Sequence, residues 1–385
     1  MAKRKICVVI TARPSYSRIR TALKAIQAHP DLELQIVAAA SALLDRYGRV
    51  VRYIQADGFH IDAQVYMVLE GENLVSSAKT TGIGLMELPT VFDNLSPDIV
   101  ITIADRYETI ATAIAAAYMN IPLAHIQGGE VTGSIDEKVR HAITKLADYH
   151  MVSTEKARER VIRMGEDPDY VFFTGCPSVD IAAAVLKDPG ERIDPFKKYG
   201  GVGETVDISD GYLVVMQHPV TTEYGMARKH ITETLYAVNE LGLPTLWFWP
   251  NVDAGSDGTS EGIRAFRENV HPKNIHFFKE IPPDDFLRLA YHSACIVGNS
   301  SVAIRECSFL GVPAVNIGSR EAGRERGPNT VDVGYARKEI EQAISDQLKH
   351  GHYDSVTLYG DGHAGERIAD ILAKVPLKFK KQLTY

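Results

Sequence analysis

The chain has 385 residues, 45% of them apolar, a formal net charge of −7 and a pI near 6.0. That length favours two domains of ordinary size over one small core. The acidic balance, with no long Lys/Arg block, disfavours nucleic acid as a partner, which needs a concentrated positive footprint; a local basic pocket for a small phosphorylated ligand stays open.

The first segment, MAKRKICVVITARPSYSR, sets a basic run before an apolar one. The apolar part stops at Thr11 and Arg13, too short for a signal core or a membrane span, and reads as a first buried strand. No later apolar run is long enough to span a bilayer, so a soluble, cytoplasmic chain with no membrane partner is expected. Cys7, Cys176, Cys295 and Cys307 show no zinc-ligand spacing and read as buried reduced thiols, so no metal is expected.

Strand-like and helix-like stretches then alternate. ICVVI (6–10) precedes a helix from about Tyr16 to Ala28, followed by LELQIVAA (32–39). DIVITI (98–103) precedes a helix over Glu108 to Tyr118, and PLAHI (122–126) one over Ile135 to Ala147. HMVS (150–153) leads to a helix near Glu155, and YVFFTG (170–175) closes the series. From Asp188 to Asp210, Pro and Gly are dense and apolar periodicity lapses, as in an interdomain excursion. Alternation resumes with YLVVMQ, a helix near Arg228 to Leu241, TLWFWP, a helix near Glu261 to Asn269, IHFFKE, ACIVG and PAVNIG. The fold class expected is α/β, with two Rossmann-like doubly wound domains facing a cleft. Residues 1–180 form the first and 181–363 the second, and a terminal helix within 364–385 returns to the first. Ligands of such folds sit at the carboxyl ends of the strands, so residues just past each strand are the candidates.

TARPSYSRI (11–19) follows strand one without any glycine, which argues against a dinucleotide fingerprint. Arg13, Ser17 and Arg18 instead place cations and a hydroxyl at a helix start, suited to an anion; a surface arginine pair is the alternative reading. Past DIVITI, Asp105 and Arg106 stand where the strand ends, either as site residues or as a structural ion pair. HIQGGEVTGSIDEKVRH (125–141) turns on Gly128 and Gly129, which would let a ligand approach the backbone. Ser134 and Glu137 match a capping box, so Glu137 reads as structural, while Asp136 is left at the second helical position, where the helix dipole favours a carboxylate. His125, Gln127, Glu130 and Asp136 are expected together on this loop.

His218 in MQHPVTT (216–222) ends the first strand of the second domain and suits a phosphate or leaving-group contact, against an uneventful lone histidine. GNSSVAIRE (298–306) opens a helix whose free N–H groups and the hydroxyls of Ser300 and Ser301 suit a diphosphate. Along a straight helix, Glu306 would stand about 7–8 Å beyond Ser301, the offset from a diphosphate to a ribose. An N-cap serine and a solvated glutamate are the alternative. Arg320 adds a cation to the same rim.

Together ADRYE, HIQGGEVTGSIDEKVRHAITKLA, FTGCPSVD, QHPVTT, PNVDAGS, GNSSVAIRE and YGDG resemble, in order and from about Lys5 to Ile371, the hydrolysing UDP-N-acetylglucosamine 2-epimerases that feed sialic acid synthesis. The resemblance implies a glycosyltransferase-B type fold, a homodimer or homotetramer, and no cofactor. It implies that a UDP-sugar enters, that UDP is eliminated to leave a 2-acetamidoglucal, and that hydration releases N-acetylmannosamine. By matching positions, Asp105, Gln127 and Asp136 correspond to the family's catalytic acids and His218 to the histidine near the diphosphate, with Glu130 a further catalytic candidate. Arg13, Ser300, Ser301, Glu306 and Arg320 match nucleotide contacts, and Ser17, Arg18, Arg106 and Asn251 are further candidates for the substrate and UDP. Position 127 departs from the pattern: relatives often carry Glu there, and an amide accepts no proton at pH 7. Glu130 or another acid then supplies the base, or Gln127 only positions, or the substrate is UDP-2,4-diacetamido-2,4,6-trideoxyglucose. A glycosyltransferase on the same scaffold and a non-catalytic nucleotide-sugar sensor are the rivals.

Overall fold

The computed structural model describes residues 2–45, 49–69, 74–103, 106–131, 135–190, 192–250, 256–279, 281–377 and 381–384, without the side chains of Leu74, Ile135, Asp136, Thr221 and Tyr224. The chain divides into two compact units: residues up to 131, 135–180 and 360 onward form the first, and 181–359 the second.

The first unit carries strands β1 (Arg4–Ile10), β2 (Leu32–Ala39), β3 (Ala63–Val65), β4 (Ile99–Ile103), β5 (Leu123–Ile126), β6 (Tyr149–Val152) and β7 (Val171–Phe173). They pair in parallel in the order β3-β2-β1-β4-β5-β6-β7. Such a sheet is covered on both faces, which is why β4 and β5 are buried at every residue. Along β1 the side chains alternate between two cores, Ile6, Val8 and Ile10 on one face and Cys7 and Val9 on the other. Helix Leu74–Leu95 has no counterpart among the expected elements, because Gly82, Gly84 and an internal Pro89 mask its period. Gly84 lies close against Met67, where a Cβ would come within 2.4 Å of Met67 Cε.

The terminal helix Ala364–Lys374 packs on helix Arg13–Ala28. Asp180 joins them, accepting from Ala364 N at 2.9 Å, Gly365 N at 2.8 Å and Thr21 Oγ1 at 2.8 Å. The end of FTGCPSVD is therefore a cap for a helix some 180 residues downstream. A second tie is ionic. Glu166, 2% exposed, accepts from Lys145 Nζ at 2.5 Å and His150 Nε2 at 2.9 Å, and pairs with Lys381 Nζ at 2.5 Å. Burial alone would raise its pKa, but the three hydrogen bonds outweigh it and bring the carboxyl down to about 2.

The second unit carries β8 (Leu213–Met216), β9 (Thr245–Phe248), β10 (Ile275–Phe278), β11 (Cys295–Gly298), β12 (Ala314–Ile317) and β13 (Thr330–Val333). They too are parallel, in the order β10-β9-β8-β11-β12-β13. Its core packs around Trp247, Leu213, Val215, Val297 and Val315. In each unit the strand order reverses beside the first strand, between β1 and β4 and between β8 and β11. The loops that leave those strands are where ligands of this architecture bind. All four cysteines are free and buried.

Candidate functional site

In the second unit the switch point is built from the ends of β8 and β11. Gly298 closes β11 at φ 132°, and a Cβ there would lie 2.1 Å from the Met216 carbonyl oxygen, so only glycine permits the approach. The next residue, Asn299, is fully buried and clamps the His218 backbone. Its Oδ1 accepts from His218 N at 2.7 Å, and its Nδ2 donates to His218 O at 2.8 Å.

Ser300 is the N-cap of the helix that follows, accepting from Val302 N at 3.5 Å. That helix spans only Ser301–Ile304; it is interrupted at Arg305 and resumes as Glu306–Leu310. The offset expected from Ser301 to Glu306 assumes one straight helix, without this break. At the break the Arg305 side chain, 2% exposed, turns back so that Nη2 donates to Ser301 Oγ at 2.8 Å while Nε lies 3.8 Å from Glu306. A hydroxyl that accepts from a guanidinium is polarised as a donor, the property a phosphate oxygen needs. Glu306 is 4% exposed, not solvated, and its Oε2 has no hydrogen-bond partner among the described residues. A carboxylate oxygen hidden from water without a partner is costly unless a ligand supplies donors. Arg320 reaches the same turn, with Nη1 donating to Asn299 O at 3.1 Å and to Glu321 Oε1 at 2.8 Å. His218, Ser300, Ser301, Glu306 and Arg320 are thus linked through Asn299 and Arg305. Asn251 lies outside the described residues.

In the first unit, Arg13 is the first residue of helix Arg13–Ala28, three residues earlier than expected, and its guanidinium carbon sits 5.8 Å from the Tyr53 ring centre. The N-cap, Ala12, offers no side chain to the helix start. Ser17 lies one turn beyond Arg13 and both it and Arg18 are half-buried. Asp105 lies outside the described residues. Arg106 Nε donates to Glu108 Oε1 at 2.7 Å, so its ion pair is with the buried Glu108.

Gln127 leaves β5 with φ 66° and is 2% exposed. Its Nε2 donates to Cys176 Sγ at 2.9 Å, and that sulfur lies 3.0 Å from Ser178 Oγ. His125 does not belong to the loop: it is on β5, fully buried, with Nδ1 3.2 Å from Thr144 Oγ1. The two glycines meet a packing requirement, and Gly129 turns the chain at φ 75°. A Cβ on Gly129 would lie 2.3 Å from the Ala157 carbonyl oxygen, and one on Gly128 2.9 Å from His125 Nδ1. Arg160 Nη1 donates to Gly129 O at 3.1 Å and Arg140 Nη1 to Glu130 O at 2.8 Å, which fixes the loop's main chain. Glu130 is 5% exposed on that loop, beside Gln127 in sequence. Asp136 is the second residue of helix Ile135–Leu146; its side chain, and Ser134 of the capping box, lie outside what is described. Glu137 pairs with Arg140 at 3.0 Å and His141 at 3.1 Å.

Asn299, Arg305 and Cys176 were not among the expected site residues. Asn299 had a signal, as the polar residue between a strand-ending glycine and a serine cap. Arg305 and Cys176 lie inside the blocks GNSSVAIRE and FTGCPSVD, but no local spacing pairs Arg305 with Ser301 as a side-chain donor or Cys176 with Gln127. No cluster of three or more His, Cys, Asp or Glu placed for a metal occurs among the described residues, and no helix there is long and apolar enough to cross a membrane.

Comparison with known proteins assigns the class. The family pattern described as UDP-N-acetylglucosamine 2-epimerase matches residues 24–373, and the chain belongs to that family. It is 32% identical over 375 residues to the UDP-N,N'-diacetylbacillosamine 2-epimerase (hydrolyzing) of Legionella pneumophila, covering 97% of each chain. It is 30% identical to the GDP/UDP-N,N'-diacetylbacillosamine 2-epimerase (hydrolyzing) of Campylobacter jejuni, covering 86% of this chain and 85% of that one. In structure it matches UDP-GlcNAc 2-epimerase from Neisseria meningitidis bound to UDP-GlcNAc, with a TM-score of 0.80, 18% identity, and 96% and 100% of the two chains covered. The two doubly wound units are thus a glycosyltransferase-B type fold.

Proposed function

We propose that the protein is a cytoplasmic hydrolysing 2-epimerase that takes a UDP-linked 2-acetamido sugar and releases UDP and the free 2-epimer. The observation that carries this reading is the buried Glu306 carboxylate oxygen, held among the described residues only by an ion pair to Arg305 at 3.8 Å and without a hydrogen bond, next to the Arg305-polarised Ser301. It offers an acceptor for ribose hydroxyls beside donors for a diphosphate. Ser300, Ser301 and Arg320 take the diphosphate, and His218 stands at the leaving group. Arg13, Ser17, Arg18, Arg106 and Asn251 complete the contacts to the substrate.

The C2 hydrogen has no carbonyl beside it, so proton loss cannot lead. The C1–O bond to UDP breaks first, positive charge builds on C1, and carboxylates stabilise it. Asp105, Glu130 and Asp136 are the acids available; one takes the C2 proton to leave the 2-acetamidoglucal. Water then adds its hydroxyl to C1 while a proton returns to C2 from the opposite face. Gln127 orients a hydroxyl or the water, because its amide accepts no proton.

The relatives at 32% and 30% identity favour a 2,4-diacetamido-6-deoxy sugar as substrate, and the family description favours N-acetylglucosamine. Identity over nearly the whole chain outweighs a family-wide description, so UDP-2,4-diacetamido-2,4,6-trideoxyglucose is the first reading. UDP release from each sugar, measured without any acceptor, separates them. Faster release from the diacetamido sugar supports this reading, and faster release from UDP-N-acetylglucosamine reverses it. Release that needs an added acceptor replaces both with a glycosyltransferase.

A further inference from the structure

We infer that Glu223 is a positioning residue that ties the His218 loop to the Arg320 turn and so sets the diphosphate subsite; this rests on the nucleotide reading of the second unit. Glu223 follows His218 by five residues, in QHPVTTE. Its Oε1 accepts from Ser319 Oγ at 2.5 Å, and Ser319 immediately precedes Arg320. Its Oε2 accepts from Tyr335 OH at 2.9 Å and lies 3.7 Å from His230 Nδ1. The His230 and Tyr335 rings stack, with centroids 3.5 Å apart and planes 6° from parallel. Burial, then Glu223, pushes the Tyr335 hydroxyl up to about 12, which keeps it a neutral donor.

These contacts close a circuit. Arg320 donates to the Asn299 carbonyl, the Asn299 side chain clamps the His218 backbone, and the chain from His218 leads to Glu223, which returns to the Arg320 turn. Without Glu223, the Asn299 clamp holds the loop at one end and Glu223's three tethers are gone. A small cavity lined by Gln217, His218, Val220, His230 and Tyr335 adjoins these tethers. A side chain with two acceptor oxygens suits two hydroxyl donors held on separate elements. Glutamine keeps one carbonyl acceptor and an amide that can donate to the other hydroxyl, whereas alanine keeps neither.

The test is calorimetric titration of UDP into the wild-type chain, Glu223→Ala, Glu223→Gln and Ser319→Ala, with steady-state kinetics on each. The expected result is UDP binding weakened on the order of tenfold in Glu223→Ala, with KM raised in step and kcat changed by less than about twofold. Glu223→Gln should recover most of the affinity. Wild-type-like affinity in Glu223→Ala, or a loss of active protein with unchanged affinity in what remains, overturns the inference while leaving the nucleotide reading intact. A wild-type chain that binds no UDP overturns that reading first. Should Glu223→Ala fail to fold, Ser319→Ala removes one arm of the tether, and unchanged UDP affinity there overturns the inference equally.

Discussion

Glu166 in the first unit and Glu306 in the second are almost equally hidden, at 2% and 4% exposed, yet their carboxylates are satisfied in opposite ways. Glu166 holds His150, Lys145 and Lys381, with cationic or hydrogen-bonding partners on both oxygens. Glu306 has one guanidinium nitrogen at 3.8 Å and an oxygen with no hydrogen bond. Burial of a charge therefore does not separate the two; the number and closeness of their partners do. A saturated carboxylate ties chain segments together, whereas an unsaturated one waits for donors that a ligand brings. Arginines show the same division. Arg140 and Arg160 hold the main chain of the first unit's loop, while Arg305 and Arg320 polarise and frame the second unit's Ser301 turn.

The largest expected effect lies outside both glutamates. Asp105→Asn and Asp136→Asn should each lower kcat by at least about 100-fold, the usual scale for a general acid–base group, as read by UDP release. Near-normal turnover in either variant removes that residue from the chemistry.

Next is Glu166→Ala, which strands Lys381, Lys145 and His150. A loss of about 3 kcal/mol in urea unfolding is expected, with UDP affinity unchanged in the folded fraction. Stability within about 0.5 kcal/mol of wild type would break the contrast drawn above.

Acid should reveal the same network. The Glu166 carboxyl titrates at about 2 in the folded chain against an ordinary 4.5, so its contribution is complete above about pH 4.5 and disappears as pH falls through 2. His150 is held below its ordinary 6.5, chiefly by burial, so the unfolded chain takes up that proton first and stability already declines below 6.5. Unfolding midpoints measured from pH 7 to 3 should fall throughout, and in Glu166→Gln the part below pH 4.5 should flatten.

The smallest effect sharpens the comparison most. Glu306→Ala should weaken UDP binding about tenfold, with a smaller loss of stability than Glu166→Ala, because it removes a single 3.8 Å ion pair with Arg305 where Glu166 holds three close partners. Ser301→Ala should act in the same direction. A marked fall in melting temperature for Glu306→Ala would make it structural, like Glu166.

Much of this was legible in the sequence because the signals were local. Largely apolar runs such as DIVITI and PLAHI read as buried parallel strands once helical stretches alternate with them, and polar residues directly past such runs fall at the strands' carboxyl ends. What escaped depended on distant partners. Glu223 meets Ser319 and Tyr335 at separations of 96 and 112 residues, and Gln127 meets Cys176 at 49. The packing need at Gly128 and Gly129 was also not legible, since the atoms close to them belong to His125 and to Ala157 on helix Glu155–Arg163. The straight-helix estimate for Glu306 did not foresee the break at Arg305, nor that Arg305 reaches back to Ser301. Helix Leu74–Leu95 was hidden by residues that locally disfavour the helix and are tolerated through tertiary packing.

The central claim is an elimination followed by hydration, and proton NMR of the protein with UDP-2,4-diacetamido-2,4,6-trideoxyglucose in deuterated water tests it most directly, with UDP-N-acetylglucosamine run alongside. The account predicts a free 2-epimer carrying deuterium at C2, formed together with one equivalent of UDP. Free sugar that retains its C2 hydrogen and its original configuration, or no turnover of either substrate by a protein that binds UDP, would contradict it.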